Sequence, residues 1–211
     1  MTRPSARHVP PGFPGPAEPG NGAWERSARL LEERIVLLGT RLDDASANDV
    51  AARLTHLAHR DPDRDISLYI NSPGGSFTAM TAVHDTMRFV GCDVETVCPG
   101  RAGPSAAVLL AAGTPGRRLA LPGARVVLRQ PAPPGPLEGR ADDVVARARE
   151  LTRARTRTRE LPVRHTGRRP EQVRGDIERE TVLDARQALE YGLVDRVVAG
   201  HGATSTEPGD R

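Results

Sequence analysis

No lysine occurs in this 211-residue chain: all 30 basic residues are arginine. Alanine, glycine and proline are abundant as well, and all four amino acids have GC-rich codons. The arginine usage and the net charge of +3 therefore reflect coding DNA more than a choice of partner. Aromatic residues are scarce, at 3%. Nucleic-acid binding calls for basic clusters interleaved with aromatic rings, so no nucleic-acid partner is expected. The two cysteines, Cys92 and Cys98, cannot build a disulfide framework. They fall within one expected strand region and read as buried apolar thiols of a reducing, cytoplasmic compartment. Long apolar runs are missing too. The longest, Ala106 to Ala112, is seven residues, far short of a membrane span, so no membrane partner is expected. The N-terminal stretch MTRPSARHVPPGFPGP has no apolar h-region, and nothing marks it for secretion. No metal and no cofactor are expected.

What is present fits one domain of ordinary size. Residues 1–24 hold six of the 19 prolines, several glycines and no hydrophobic periodicity. They read as a disordered arm, since no apolar surface offsets the entropy of ordering them. The domain covers residues 25–199, with a loose polar tail at 200–211. Order is expected from about Ser27, where SARLLEERIVLL reads as a helical turn running into a strand at 35–38. Asp43 or Asp44 caps a helix that reaches about Arg60, with Val50, Leu54 and Leu57 at helical spacing. Further strands are expected at 66–71, 93–98, 117–121 and 125–129. Helices are expected at 76–89, from Pro104 to Gly113, at about 141–161 and at 184–191. The segment DRVVAG adds a last short strand. Strands alternating with helices give an α/β architecture with right-handed crossovers.

The segment DISLYINSPGGSFTA (65–79) resembles the Clp peptidase motif in which a strand ends at Asn-Ser-Pro-Gly-Gly. The resemblance continues through DTMRFV (85–90), LLAAG (109–113), LALPGARVVLRQP (119–131), HTG (165–167) and ALEYGLVDRVV (188–198). It covers about residues 27–198, and YINSPGG together with EYGLVD makes it specific. It implies the ClpP and crotonase type of fold, a spiral of ββα units with a protruding handle helix. Seven-membered rings, stacked face to face, and an AAA+ unfoldase of the ClpX, ClpA or ClpC type that feeds in substrate follow from the same resemblance. Pro-Gly-Gly by itself is only a tight turn. In the family, however, the second glycine, Gly75 here, donates one hydrogen bond to the oxyanion. The residue after the nucleophile, Ser105 here, donates the other.

The implied catalytic positions are altered. Serine peptidase chemistry needs a hydroxyl, an imidazole to take its proton and a carboxylate to orient the imidazole. Aligned on LLAAG, the nucleophile position holds Pro104. Aligned on Gln-Pro, the base position holds Arg129, whose guanidinium stays protonated and cannot act as a base. The acid position before EYGLVD holds Glu180, where the family has aspartate. Ser105 is the alternative nucleophile, but one residue is about 100° around a helix, which turns its Oγ away from the groove. His56, His59 and His84 fall on helices before the site, and His165 after the long helix. A salt bridge between Arg129 and Glu180 is expected to lock the altered region, with Arg179 as another partner for Glu180.

The family's glycine-rich strand after Gln-Pro is replaced by QPAPPGPLEGR, with four prolines from 131 to 136. Proline has no N–H for strand addition, so peptide binding along that strand is expected to be weak. The segment 141–161 resembles the handle helix, and Pro162 is expected to end or kink it. The pocket that receives unfoldase loops is carried over to Ser67, Tyr69, Phe89, Val97, Pro99, Leu119 and Leu121. Ser67 and Pro99 stand where larger apolar residues are usual.

The reading is a non-catalytic subunit of a Clp proteolytic particle, working in a mixed ring with active paralogues. The alternatives are a working serine endopeptidase through Ser105 and, from a different class, a crotonase-type acyl-CoA enzyme.

Overall fold

The computed structural model describes residues 21–131 and 140–199. Most of the expected arm, the expected tail and the run 132–139 lie outside the described residues. Helix α1 spans Asn21–Glu32 and leads into strand β1, Ile35–Leu38. It starts ahead of the expected Ser27, because AWERSARLLE is made mostly of good helix formers. Arg34 turns the corner with a left-handed φ of 61°. Its guanidinium, almost wholly buried, donates to the carbonyls of Leu57, Asp61, Arg64 and Asp65. One side chain thus closes the end of the helix that follows.

That helix, α2, spans Asp44–Arg60. Asp43 caps it, accepting from Ser46 N–H while the Ser46 hydroxyl accepts from Asp43 N–H. Next come β2 (Ile66–Ile70), α3 (Phe77–Phe89), β3 (Val94–Cys98), the short β4 (Arg101–Ala102) and α4 (Pro104–Ala111). Strands β5 (Arg118–Ala120) and β6 (Arg125–Leu128) precede the long α5 (Ala141–Thr166). The chain ends with α6 (Pro170–Glu178), β7 (Thr181–Asp184), α7 (Ala185–Tyr191) and β8 (Arg196–Val197).

The main sheet has the order β1-β2-β3-β5-β8, and every pair is parallel. A second sheet has the order β4-β6-β7, with β6 and β7 antiparallel. Helices connecting parallel strands are what the alternating sequence pattern demands. On one face of the main sheet Val36, Leu38, Ile66, Leu68 and Ile70 are fully buried against the helices. Helix α4 is apolar all round, and Ala106 to Ala111 have essentially no exposure. A helix hydrophobic on every side belongs at the centre of a domain, and this one holds the main sheet and the long helix together.

Pro162 neither ends α5 nor stops its hydrogen bonding early, contrary to expectation. The helix runs on to Thr166 and closes at Gly167, whose φ is 67°. Proline removes one i→i−4 bond, but Leu161 packs into the core and Val163 against it. The Thr166 hydroxyl donates to the Pro162 carbonyl at 2.6 Å. Tertiary packing outweighs the missing donor. Helix α6 was not expected at all, although Pro170 at its first position and Glu171 in its first turn are a start signal.

The block EYGLVD ends in an anchor. Arg118, 8% exposed, donates to Asp195 through two side-chain hydrogen bonds of 2.9 and 2.5 Å and also to the carbonyls of Ala111, His165 and Gly192. Burial alone would raise the Asp195 carboxyl, but the contributions of Arg118 outweigh it and hold the group below its usual range.

Candidate functional site

The end of β2 runs into the Asn-Ser-Pro-Gly-Gly turn, and this turn is built on backbone contact. The Leu42 N–H donates to the Gly74 carbonyl at 3.0 Å, and the Ser76 N–H donates to the Leu42 carbonyl at 2.8 Å. Gly74 has a φ of 84°, a conformation that side chains with a Cβ rarely adopt. A Cβ on Gly75 would lie 2.0 Å from the Leu42 carbonyl oxygen, so only glycine permits this approach. The turn sits beside the start of α4, where Gly103 precedes Pro104 in the first helical position. The Ser105 N–H, in the first turn of α4, belongs to the donors that a helix leaves without an intrahelical acceptor.

These elements form one wall of a cleft of about 1920 Å³, closed on the other side by α5. Pro104, Ser105, Gly75 and Arg129 all line it. Ser105 does not turn away, which corrects the expectation drawn from helix geometry. Its Oγ donates to the Gly75 carbonyl at 2.9 Å. The Pro73–Gly75 turn lies close enough to the first turn of α4 to capture the hydroxyl, despite the angular offset from Pro104. A hydroxyl that gives its hydrogen to an amide carbonyl faces an acceptor far too weak to serve as a base.

Arg129 follows β6 and Glu180 precedes β7, so the antiparallel pairing of these strands brings the two together. Arg129 Nη1 stands 3.3 Å from Glu180 Oε1, and both side chains are about half exposed. Arg179 pairs with Asp176 instead. Glu180 has a left-handed φ of 54°, a cost that the ion pair sits upon and does not explain.

Among the described residues no histidine lines the cleft. His56 and His59 are exposed on α2. His84 and His165 meet each other, their Nε2 atoms 3.4 Å apart and their rings edge to face. His84 Nδ1 lies 2.9 Å from Asp85 Oδ1, so its Nδ1–H donates there and its Nε2 accepts from His165. Burial is the main cause that pushes His165 down to about 4, with His84 and Arg118 adding to it. This pair, which joins α3 to α5, carries no local signal in the sequence.

The other expected surface lies on the main sheet. Strand register sets Leu37, Tyr69, Val97 and Leu119 side by side across four strands. They therefore share the sheet face opposite the buried row. Leu37, 45% exposed, was not among the expected residues. Ser67 donates to Glu95 Oε1 at 3.2 Å, which makes its end of the face polar. Phe89 closes α3 with 83% of its side chain in solvent. Pro99 and Leu121 are half-buried just beyond β3 and β5. Cys92 and Cys98 are both free thiols, and burial pushes Cys98 up to about 11. Among the described residues no group of three or more His, Cys, Asp or Glu is placed to hold a metal ion. No described helix is long and apolar enough to cross a membrane.

Comparison with known proteins places the chain. The family model for Clp protease matches residues 20–201. A protein of Streptomyces coelicolor described as an ATP-dependent Clp protease proteolytic subunit-like chain is 62% identical over the whole length of both. The ATP-dependent Clp protease proteolytic subunit 3 of Frankia casuarinae is 49% identical over 95% of this chain and 93% of its own. Subunit 1 of Corynebacterium diphtheriae is 51% identical over 93% of this chain and 94% of its own.

Proposed function

Because this chain belongs to the Clp protease family, we propose that it is a non-catalytic proteolytic subunit that assembles with catalytically active relatives. The observation that carries this reading is the occupancy of the cleft. Where proton transfer would be needed, an arginine paired with Glu180 is present and, among the described residues, no imidazole is. A guanidinium is protonated at any working pH, so it can hold charge but cannot take a proton from a nucleophile. Pro104 has no hydroxyl to offer. The hydroxyl of Ser105, next to Pro104, donates to the Gly75 carbonyl. The Gly75 turn and the start of α4 could still stabilise an oxyanion, but without an attacking group no oxyanion forms.

Family membership leaves the acyl-CoA reading without support. A peptidase working through Ser105 would need a base, and the carboxylates of the cleft, Asp43, Asp44 and Glu150, make no hydrogen bond to its Oγ.

On this reading the chain contributes its scaffold to a mixed ring in the cytoplasm, shaping the chamber and the docking of an AAA+ unfoldase. The apolar row Leu37, Tyr69, Val97 and Leu119, with Phe89 exposed nearby in the sequence, supports docking. The polar Ser67–Glu95 contact weakens it. Co-expression with an active relative tests the assembly. Both chains are expected in one ring-sized particle by native mass spectrometry, with turnover of a fluorogenic peptide that survives Ser105→Ala in this chain. Isolation of the chain as a stable monomer, with the relative forming rings alone, would contradict it.

A further inference from the structure

Helix α5 closes the cleft, and its C-terminal end is fixed to α3 by two histidines that do not line the cleft themselves. His84 is 5% exposed, and His165 is partly buried in the last turn of α5. Their Nε2 atoms stand 3.4 Å apart and their ring centroids 5.6 Å apart, so the rings meet tip to tip. A single hydrogen fits between such tips. His84 Nδ1–H is given to Asp85 Oδ1, and His84 Nε2 accepts from His165. We propose that this pair is an acid-released latch. When both imidazoles are charged, two N–H groups oppose each other and the end of α5 parts from α3.

The groups around the pair oppose a second charge. Asp85 and Arg88 face it from α3, Arg164 from α5 and Arg118 from β5. Asp85 serves His84, and among the described residues no carboxylate is hydrogen-bonded to His165. Asp195, reached through Arg118, is already taken up by two hydrogen bonds from that guanidinium. Arg118 Nη1 also donates to the His165 carbonyl at 3.0 Å, so an imidazolium on this residue has a guanidinium for a neighbour. Burial, then the charges of His84 and the three arginines, hold His165 down at about 4. The docked ring resists a proton that a free imidazole accepts near 6.5.

The long helix is placed to turn on this joint. From Asp142 to Arg157 only Ala154 is buried, whereas Leu161 belongs to the core and Val163 packs against it. The direction of α5 is therefore set at its C-terminal end, where the latch lies. Neither histidine belongs to a strand, so release leaves both sheets paired. It moves four of the six arginines that line the cleft, Arg147, Arg149, Arg153 and Arg157. The latch works in the same way whether or not the cleft is catalytic.

Hydrogen exchange of the full chain, read by mass spectrometry at pH 7 and pH 5 and corrected for intrinsic exchange rates, tests it. The docked value of His165 lies below the free one, so opening is favoured as pH falls. Between pH 7 and pH 5 the open state should gain about 20-fold. Protection is expected to drop in peptides from α3 and from residues 158–166, while α2 and β2 keep theirs. His84→Gln with His165→Gln leaves an amide hydrogen bond across the joint and removes both titrating rings. This double variant should show the same protection at both pH values. Asp85→Asn takes away the carboxylate that faces His84, and it should move the opening to higher pH. His56→Gln with His59→Gln removes two exposed histidines of α2 and should leave the opening where it is. An equal loss of protection in all four segments would mean global unfolding in place of a latch. The same opening in the His84→Gln, His165→Gln variant would mean that other groups drive it. Either result, or unchanged protection at pH 5 in the parent, would overturn the proposal.

Discussion

At the scale of single residues, two arginine–carboxylate pairs differ in what they are worth, one a two-point contact and the other a single contact at 3.3 Å. Arg118 and Asp195 are largely buried, and Arg118 also holds three backbone carbonyls. Removing one partner leaves a charge and several acceptors uncompensated. Asp195→Asn is therefore expected to cost about 3 kcal/mol in urea denaturation. Arg129 and Glu180 are half exposed, which limits their pair to at most about 1 kcal/mol. Glu180 also holds a left-handed φ that costs a side chain about 1 kcal/mol or more. Glu180→Gly loses the pair and relieves the backbone, so its unfolding free energy should match or exceed that of the parent. A loss of more than about 1 kcal/mol would show that the pair is stronger than an exposed bridge. The sequence signalled the Arg129–Glu180 contact, because the family resemblance set the two positions side by side. It did not signal the direction of the Ser105 hydroxyl, which is decided by how closely the Pro73–Gly75 turn approaches α4.

At the scale of elements, local signals served where the chain caps itself. Asp43 announced α2 and Asp184 announced α7, since a carboxylate accepting from the third residue of a helix is a local device. The course of α5 was not legible, because Pro162 argues for an end while Leu161 and Val163 are held by distant packing. The α3–α5 contact through His84 and His165 was equally hidden, joining positions far apart in the chain. This contact predicts acid sensitivity. His165 has a folded pKa of about 4 against an ordinary 6.5, so the unfolded chain takes up its proton first as pH falls. The stability due to neutral His165 is present above pH 6.5 and is lost between 6.5 and about 4. Asp195, held low by Arg118, loses its contribution only at lower pH. Melting temperatures across pH 7 to 4 should fall for the parent, and the slope should flatten in His165→Gln, whose amide N–H can still donate to His84. An unchanged slope would remove His165 as the cause.

At the scale of the whole molecule, the fold of a Clp protease family member surrounds a cleft that, among the described residues, is lined by Pro104, Ser105 and Arg129 and by no histidine. The parallel sheet, the buried α4 and the glycine turn at 74–75 follow from residues that resemble the family. Because those residues keep the family's order along the chain, the fold was legible in the sequence. The basic character of the cleft was not legible in the same way, because it depends on which face of α5 turns toward Pro104 and Ser105. The most direct test of the central claim is exposure of the purified chain to a serine-reactive fluorophosphonate, alone and within rings containing an active relative, followed by intact mass measurement. The relative is expected to be labelled, while this chain keeps its unmodified mass in both states. A single covalent adduct on this chain, mapped to Ser105 and abolished by Ser105→Ala, would contradict it.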